Sequence, residues 1–193
     1  MKVFPGSMNY SDEEIVEQVL DGEKELFGML IDRYQRPIYN LMHRYAHNGD
    51  EAADLTQDVF VRAFDKLWSI RADGRFFSWL YGIAVNLAKD WQRKNNRRNS
   101  QLHIVEQVAL VQDEGMNQNL EVEHQENAHF LRQALLELRD QTREILILRY
   151  RHGCSIKEVA DTFSLNESAV KMRIKRGLEQ LRSRIEKAQG DSL

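Results

Sequence analysis

The 193-residue chain is 42% hydrophobic and 30% charged, a composition that supports packed cores in a water-soluble protein. Its formal net charge of −3 hides a partition, because residues 100–127 hold six Asp and Glu and no Lys or Arg. We find no apolar run of about 18 residues and no secretory signal, so we expect a cytoplasmic protein without direct membrane insertion. The single cysteine, Cys154, excludes a disulfide framework, and a buried inert thiol is favoured over a redox sensor.

Helical signals begin near the N-terminus. Ser11 followed by Glu14 has the spacing of a capping box, which opens a helix over roughly 11–21. Apolar residues continue at helical spacing from Leu26. Pro37 falls in or near the start of the following turn, and Ile38, Leu41, Met42 and Tyr45 carry the helix on. Since the chain has only two prolines and few glycines, a nearly all-helical fold is favoured.

Two further helices follow. Asn48-Gly49-Asp50 is a break, and a strong helix is predicted over 51–68. A loop over 71–74 separates it from a long helix that begins at Phe76 and becomes basic towards Arg97. The apolar stripe of the helix over 51–68 consists of Ala52, Leu55, Val59, Ala63 and Leu67.

Residues 99–127 lose apolar periodicity and are rich in Gln, Asn, Glu and Asp, which is typical of a flexible linker. Helical patterning restarts at Phe130 and runs to about His152. The sequence therefore predicts an all-α protein of two small helical domains, 8–98 and 128–187, joined by a flexible acidic linker.

The second domain carries the pattern of a helix-turn-helix. Ser155 and Glu158 form a capping box, and Asn166 is a suitable N-cap for the following helix. That helix has a predicted apolar stripe of Val170, Ile174, Leu178 and Leu181, and it is basic elsewhere. A rigid helix with a cationic outer side fits the DNA major groove, although a helical hairpin with a merely solvated basic side stays open. The basic residues are Lys171, Arg173, Lys175, Arg176, Arg182 and Arg184.

Three sequence blocks in this order resemble the extracytoplasmic-function (group 4) sigma factors of the bacterial sigma-70 family. They are EAADLTQDVFVRAF (51–64), RFFSWLYGIAVNLAKDWQRK (75–94) and LRDQTREILILRYRHGCSIKEVADTFSLNESAVKMRIKRGLEQLR (138–182). The resemblance implies a protein that binds core RNA polymerase, directs it to promoters and promotes DNA opening. It also implies an anti-sigma factor as a regulatory partner and requires no cofactor.

The block at 51–64 places Asp54, Gln57, Asp58 and Val61 on one helix side, off the apolar stripe. By resemblance this side matches the family's polymerase-binding motif, in which a Glu commonly stands where this chain has Asp58. The first domain would then dock onto core RNA polymerase.

The block at 75–94 is implied to read the melted minus-ten element. Aromatic rings stack on unpaired bases and cations hold phosphates, but a helix core needs aromatic residues too. We therefore expect Phe76, Trp79 and Ile83 to be mostly buried. The family often has a basic residue where this chain has Gly82, so the sequence departs from the family pattern at that position. The candidate minus-ten residues are Arg71, Asp73, Arg75, Asn86, Lys89, Asp90 and Arg93.

The helix-turn-helix is implied to read the duplex minus-thirty-five element through Ser168, Lys171, Arg173 and Arg176, with the three cations facing outward. The turn commonly has Gly where this chain has Ser164, which fits if the Ser164 backbone stays at negative φ.

Two alternative functions can be distinguished from this interpretation. A stand-alone helix-turn-helix regulator would bind a palindromic duplex as a dimer without polymerase. An enzyme is disfavoured, because there is no nucleophile–base set, and the pair His43 and His47 lacks a convincing third metal ligand.

Overall fold

The computed structural model describes residues 10–71, 75–99 and 130–190, and every regular element in these ranges is helical. The chain divides into two compact units, Met1–Val111 and Gln112–Leu193. The predicted linker over 99–127 lies outside the described residues, except for Asn99. The all-α expectation is therefore confirmed for both units, and none of the described helices combines the length and apolar character that a membrane span requires.

The described residues of the first unit form four α-helices: α1 (Asp12–Leu20), α2 (Phe27–Ala46), α3 (Gly49–Asp65) and α4 (Phe76–Asn99). Helix α2 packs against α1, α3 and α4, so it forms the centre of the unit. An aromatic cluster joins these helices, with the Phe27 ring centroid 5.1 Å from Phe64 and 6.4 Å from Phe76. Such edge-to-face pairs add about 0.5–1.5 kcal/mol beyond the burial of their area.

A polar clasp joins α1 to α2. The predicted capping box is present, since the Ser11 hydroxyl accepts from the Glu14 N–H and the Glu14 carboxylate accepts from the Ser11 N–H. Asp12, the first residue of α1, accepts from Arg33 Nη1 at 2.6 Å and from the Tyr34 hydroxyl. Burial, and to a lesser extent this hydrogen bond, raises the pKa of Tyr34. The phenol therefore stays protonated and donates a hydrogen bond to Asp12.

The position of Pro37 differs from the prediction. Pro37 lies inside the continuous helix α2 rather than in or near a turn. A proline inside a helix removes one hydrogen bond and costs about 3 kcal/mol or more. Ile38, Leu41 and Met42 follow it directly on the buried side of α2, and their burial offsets that cost.

The predicted break at 48–50 is reduced to two residues. Helix α2 ends at Ala46 and His47 adopts a left-handed conformation with φ of 56°. Asn48 is then the N-cap of α3, because its side-chain oxygen accepts from the N–H groups of Asp50 and Glu51. A single-turn helix at Leu67–Ser69 follows α3.

The second unit contains α5 (130–136), α6 (Asp140–Leu146), α7 (Ile156–Phe163) and α8 (Glu167–Gly190), with a π-helical turn at Ile147–Arg151. One continuous helical pattern from Phe130 to about His152 was expected, but residues 137–139 interrupt it. Leu138, which lies within residues 137–139, is buried. The apolar periodicity of the sequence therefore continues across the interruption and does not reveal it.

A buried ion pair supports α6 from inside. Arg143 lies 2.8 Å from Asp140 and 3.2 Å from Glu144, and both Arg143 and Glu144 are buried. Charges so removed from water are tolerated only when they are paired, so losing either partner would be costly.

The apolar stripe of α8 also differs from the prediction. Val170, Ile174 and Leu181 are buried as expected, whereas Leu178 is 42% exposed. The buried position is the neighbouring Gly177, whose missing side chain allows α8 to approach α6 closely. The expectation for Leu178 was wrong because the space between α8 and α6 at this point admits only a glycine, so Gly177 faces α6 and Leu178 is turned away.

The turn between α7 and α8 follows the predicted order of signals. The capping box of Ser155 and Glu158 opens α7, and the Asn166 side chain accepts from the Ala169 N–H at 2.7 Å to cap α8. Ser164 ends α7 with φ of 53°, which contradicts the expectation of a negative φ. The left-handed conformation lets the Ser164 N–H cap the carbonyls of Ala160 and Asp161.

Candidate functional site

The outer side of α3 carries a polar surface, here called the acidic face, which consists of Asp54, Gln57, Asp58 and Val61. All four side chains are exposed, and Val61 is 61% exposed. The opposite side of α3 is buried through Ala52, Leu55, Val59, Phe60 and Ala63. The burial of that side fixes the helix rotation, so the predicted arrangement of the four residues is present as one surface.

The chemistry of the acidic face suits a protein partner. Two carboxylates and an amide lie beside an exposed Val61, so a cationic helix with apolar neighbours would find both charge and apolar contact there. Single exposed valines are common on protein surfaces, so the charged side chains beside Val61 carry the argument for a partner.

A second polar surface follows the outer side of α4. Asn86, Asp90 and Arg93 are exposed, and Lys89 is half-buried. Their spacing of three and four residues places them on one side of the helix. Asp90 and Arg93 form an ion pair with each other, so a nucleic-acid phosphate would compete with Asp90 for this arginine. Exposed ion pairs of this kind contribute little to stability, so breaking the pair to bind a phosphate would cost little free energy.

The loop that precedes α4 is partly described. Arg71 and Arg75 are exposed at its two ends, whereas Asp73 lies outside the described residues. Gly82 on α4 is buried, so the position where a basic residue was expected by resemblance offers no side chain to a ligand.

The aromatic residues near the loop divide by burial. Phe76 is buried as expected, together with Phe77 and Tyr81, while Trp79 and Ile83 are only half-buried. The expectation that Trp79 and Ile83 are mostly buried was therefore too strong. Trp68, which precedes the loop and is not one of the candidate minus-ten residues, is 76% exposed. Its exposure could not be read from the sequence, because Trp68 falls in a turn where helical periodicity no longer applies.

The outer side of α8 carries the surface here called the basic face: Ser168, Lys171, Lys175 and Arg176, all exposed. Lys171 lies 3.8 Å from Glu167, a distance at the limit of an ion pair, so it stays available to an anionic partner. The N-terminal half of α8 therefore presents cations and a hydroxyl beside the capped turn.

Arg173 does not face fully outward as expected. It is half-buried, and its Nη1 atom is buried without a hydrogen-bond partner. Its neighbours Val170 and Gly177 on the same side of α8 are buried, which draws the arginine stem towards the core. A buried guanidinium nitrogen without a partner is costly, and a ligand that reached it would recover that cost.

Two further basic residues of α8, Arg182 and Arg184, have acidic partners. Arg182 donates to Glu186 at 2.8 Å, and this hydrogen bond raises the pKa of Arg182. Arg184 bonds to Glu137 just after α5 and so fastens the end of α8 within its own unit. These pairings distinguish the end of α8 from the basic face at its start.

Cys154 and His43 are two further residues whose side chains can carry chemistry. Cys154 is buried, and its carbonyl accepts from Arg149 Nη1 at 2.8 Å, which fits a structural residue at the entrance to α7. Burial lowers the pKa of His43, and no cluster of three or more metal-ligating side chains occurs within 10–71, 75–99 and 130–190.

Comparison with known families gives two matches. Residues 30–98 match Sigma-70 region 2, and residues 131–181 match Sigma-70, region 4. The first match lies within the predicted domain 8–98 and the second within 128–187, while the outer limits of these domains stay predictions.

Curated relatives match over nearly the whole chain. The RNA polymerase sigma-H factor of Pseudomonas aeruginosa is 30% identical over 177 residues, which cover 88% of this chain and 91% of the relative. The ECF RNA polymerase sigma factor SigW of Bacillus subtilis is 31% identical over 180 residues, 88% of this chain and 94% of SigW.

Solved structures share the fold. CnrH, solved in complex with the cytosolic domain of CnrY, superposes with a TM-score of 0.64 at 23% identity, covering 91% of this chain and 97% of CnrH. The sigma factor RpoE, solved with the anti-sigma factor NepR from Bartonella quintana, gives a TM-score of 0.67 at 22% identity, covering 83% of this chain and 96% of RpoE.

Proposed function

This chain belongs to the extracytoplasmic-function sigma factors of the sigma-70 family, and from that premise we propose which of its surfaces perform each step of transcription initiation. Members of this family direct RNA polymerase to promoters and are initiation factors rather than catalysts. The observation that carries the assignment is the pair of exposed helix faces of opposite charge, one on each unit. The protein would act in the cytoplasm, where it would meet core polymerase and DNA, and would need no cofactor.

The acidic face of α3 would bind core RNA polymerase. Asp54 and Asp58 would pair with cations on a polymerase helix, Gln57 would supply a hydrogen bond, and Val61 would fill an apolar contact. Because these residues are already exposed on a rigid helix, docking would not require the first unit to rearrange.

The outer side of α4 and the adjacent loop would hold the melted minus-ten strand. Arg71, Arg75, Lys89 and Arg93 would contact phosphates, while Asn86 would donate or accept hydrogen bonds at base edges and Asp90 would accept them. Asp73 belongs to this proposal by resemblance alone.

The basic face of α8 would read the duplex minus-thirty-five element. Lys171 and Arg176 would contact phosphate or guanine, and Ser168 lies close enough to the start of α8 to reach a phosphate. Arg173 would contribute less area than its neighbours, but a DNA acceptor could satisfy its buried nitrogen.

An anti-sigma factor would control the protein. The RpoE protein, which shares the fold, was solved with the anti-sigma factor NepR, and a similar partner could cover the acidic face of this chain. Covering Asp54 and Asp58 would block polymerase docking by direct competition, without a conformational change in the first unit.

Run-off transcription with core polymerase across a genomic promoter library tests this assignment. We expect promoter-specific transcripts that require the added protein. Duplex binding to a palindromic operator without polymerase, together with no promoter-specific product, would favour the stand-alone regulator instead.

A salt titration tests the basic face. Lys171→Ala should lower the slope of log affinity against log salt for promoter DNA by about 1, because one phosphate contact releases about one counterion. Lys24→Ala removes the same charge from the first unit and serves as the matched control. Equal slopes for the two variants would contradict the role of Lys171.

A further inference from the structure

Tyr34, a residue of α2, links two other helices of the first unit. Its ring packs on the first turn of α4, with centroid distances of 5.0 Å to Phe77 and 5.7 Å to Phe76. Its hydroxyl donates a hydrogen bond to Asp12, the first residue of α1. One side chain therefore connects the start of α1 to the start of α4.

The α1 end of this connection is held in place by further bonds. Asp12 also accepts from Arg33 Nη1 at 2.6 Å, and Arg33 Nη2 donates to the Tyr10 carbonyl at 2.5 Å. The Asp12 side chain is 17% exposed, so the ion pair is partly withdrawn from water. Tyr34 thus donates to a charged acceptor whose position is already fixed, which is the strong form of a hydrogen bond.

The α4 end of the connection carries a residue of the proposed minus-ten surface. The carbonyl of Arg75, the residue directly before α4, accepts from the Trp79 N–H at 3.3 Å and from the Ser78 hydroxyl at 3.0 Å. Phe76 and Phe77 lie in the same turn and are buried. A shift of these two rings would therefore move the backbone of Arg75 with them.

The ring and the hydroxyl of Tyr34 contribute different things. A phenylalanine would make the same ring contacts with Phe76 and Phe77, so the hydroxyl is not needed to fill the core. The hydroxyl restrains the ring, because a bond to a fixed carboxylate limits both its tilt and its distance from α1. The rings are tilted by 37° and 31° to their two partners, an arrangement that packing alone holds less firmly than a directional bond does.

We propose that Tyr34 is a positioning residue for promoter opening, whose bond to Asp12 fixes the first turn of α4 and with it Arg75. The inference rests on the proposed function and adds to it two residues that would not touch DNA themselves. A binding surface has to be held close to its productive geometry by the residues behind it, so a loosened turn would hold the melted strand less well.

The test uses holoenzyme assembled from core polymerase and the full chain, on a duplex promoter identified by run-off transcription. Opening is measured by the permanganate reactivity of unpaired thymines at saturating holoenzyme. Tyr34→Phe removes the hydroxyl and keeps the ring, and Asp12→Ala removes the acceptor. We expect each to lower the opening equilibrium about 10-fold, the lower end of what one hydrogen bond to a charged group is worth, with unchanged affinity for core polymerase.

Two further variants test the bond itself. Asp12→Asn keeps an oxygen that can accept from Tyr34 and should retain most of the opening. The double variant Tyr34→Phe/Asp12→Ala should lose little more than Asp12→Ala alone, because both changes break the same bond.

A matched control separates positioning from general stability. Asn48→Ala removes the N-cap of α3, where Asn48 accepts from the N–H groups of Asp50 and Glu51, and so destabilises the same unit away from Tyr34. At saturating holoenzyme it should open the promoter as the wild type does.

Four results would overturn the inference while leaving the proposed function intact. They are wild-type opening by Tyr34→Phe, an equal loss caused by Asn48→Ala, fully additive losses in the double variant, and a loss of core polymerase affinity that accounts for the defect. Failure of the proposed function differs from all four, because then the wild-type protein would yield no promoter-specific transcript.

Discussion

Helices α3 and α8 each bury one apolar side and expose one polar side, but the exposed sides carry opposite charges. Each buries an apolar stripe, with Val59 at the centre of one and Ile174 in the other, and each leaves a row of polar side chains exposed. The exposed row is acidic on α3, through Asp54 and Asp58, and basic on α8. The buried stripe therefore fixes which residues face outward, and the sign of the exposed charge is the basis on which we propose a cationic protein as the partner of α3 and DNA as the partner of α8.

The two helices differ in how closely they are packed. The buried side of α3 consists of side chains of ordinary size, whereas α8 needs Gly177 to approach Thr142 and Leu146 of α6. The second unit thus depends on one small residue, and the first unit depends on a cluster of larger ones. A methyl group added to a helical glycine is therefore expected to lower the stability of the second unit and not that of the first.

The largest expected effect comes from reversing the charge on α3. Asp58→Lys should weaken binding to core polymerase by about 100-fold or more, because like charges facing each other across an interface cost several kcal/mol. Glu17→Lys on α1 makes the same change in net charge at another exposed position and should bind nearly as the wild type does. A competition assay with labelled core polymerase measures both, and equal losses would remove the acidic face from the interface.

A smaller effect is expected from adding a methyl group at Gly177. Its Cβ atom would lie 2.8 Å from Thr142 Cγ2 and 3.0 Å from Leu146 Cδ1. Overpacking costs about 1–3 kcal/mol and alanine returns about 1 kcal/mol of helix propensity, so Gly177→Ala should lower the free energy of unfolding of the second unit by about 1 kcal/mol.

Two variants control for this change. Thr142→Ser removes the nearest methyl group and should restore part of the loss caused by Gly177→Ala. Gly28→Ala in α2 meets no atom within 4 Å and should not destabilise the first unit. Denaturant unfolding of the full-length variants, followed by hydrogen exchange of each unit, measures the effects. Destabilisation by Gly28→Ala as large as by Gly177→Ala would refute the difference in packing.

An effect of similar size but opposite sign is one that the two units should share. His47 and Ser164 both end a helix in the left-handed conformation, with φ of 56° and 53°. Glycine adopts this conformation without strain, so His47→Gly and Ser164→Gly should each stabilise their own unit by about 1 kcal/mol. Thermal unfolding would detect the gain as a raised Tm, and a fall in Tm for either variant would show that its side chain makes a compensating contact.

Local signals were predicted well, because their cause lies within a few residues. The capping boxes at Ser11 and Ser155 and the N-cap at Asn166 formed as their spacing indicated, since each uses only a side chain and the first turn of its own helix. The acidic face was also predictable, because its members share one side of one helix. The roles assigned to these residues stay predictions.

The misplaced features share a different cause. Pro37 within α2, the break before Asp140, the exposure of Leu178 and the partial burial of Arg173 each depend on what another helix places against them. The exposure of Trp68 was not predicted, because large aromatic residues are normally expected to lie in a core, and burial becomes visible only once the helices are packed.

The sequence by itself determined the helical class, the order of the helices, the charge of each outer face and the membership of the sigma-70 family. These properties follow from periodicity, capping and residue identity, which are local or directly inherited. Only the tertiary structure decided that Gly177 rather than Leu178 faces α6 and that Trp68 stands exposed beside the loop. Both outcomes depend on the volume left between packed helices, and volume is a property of the assembled core rather than of any single segment.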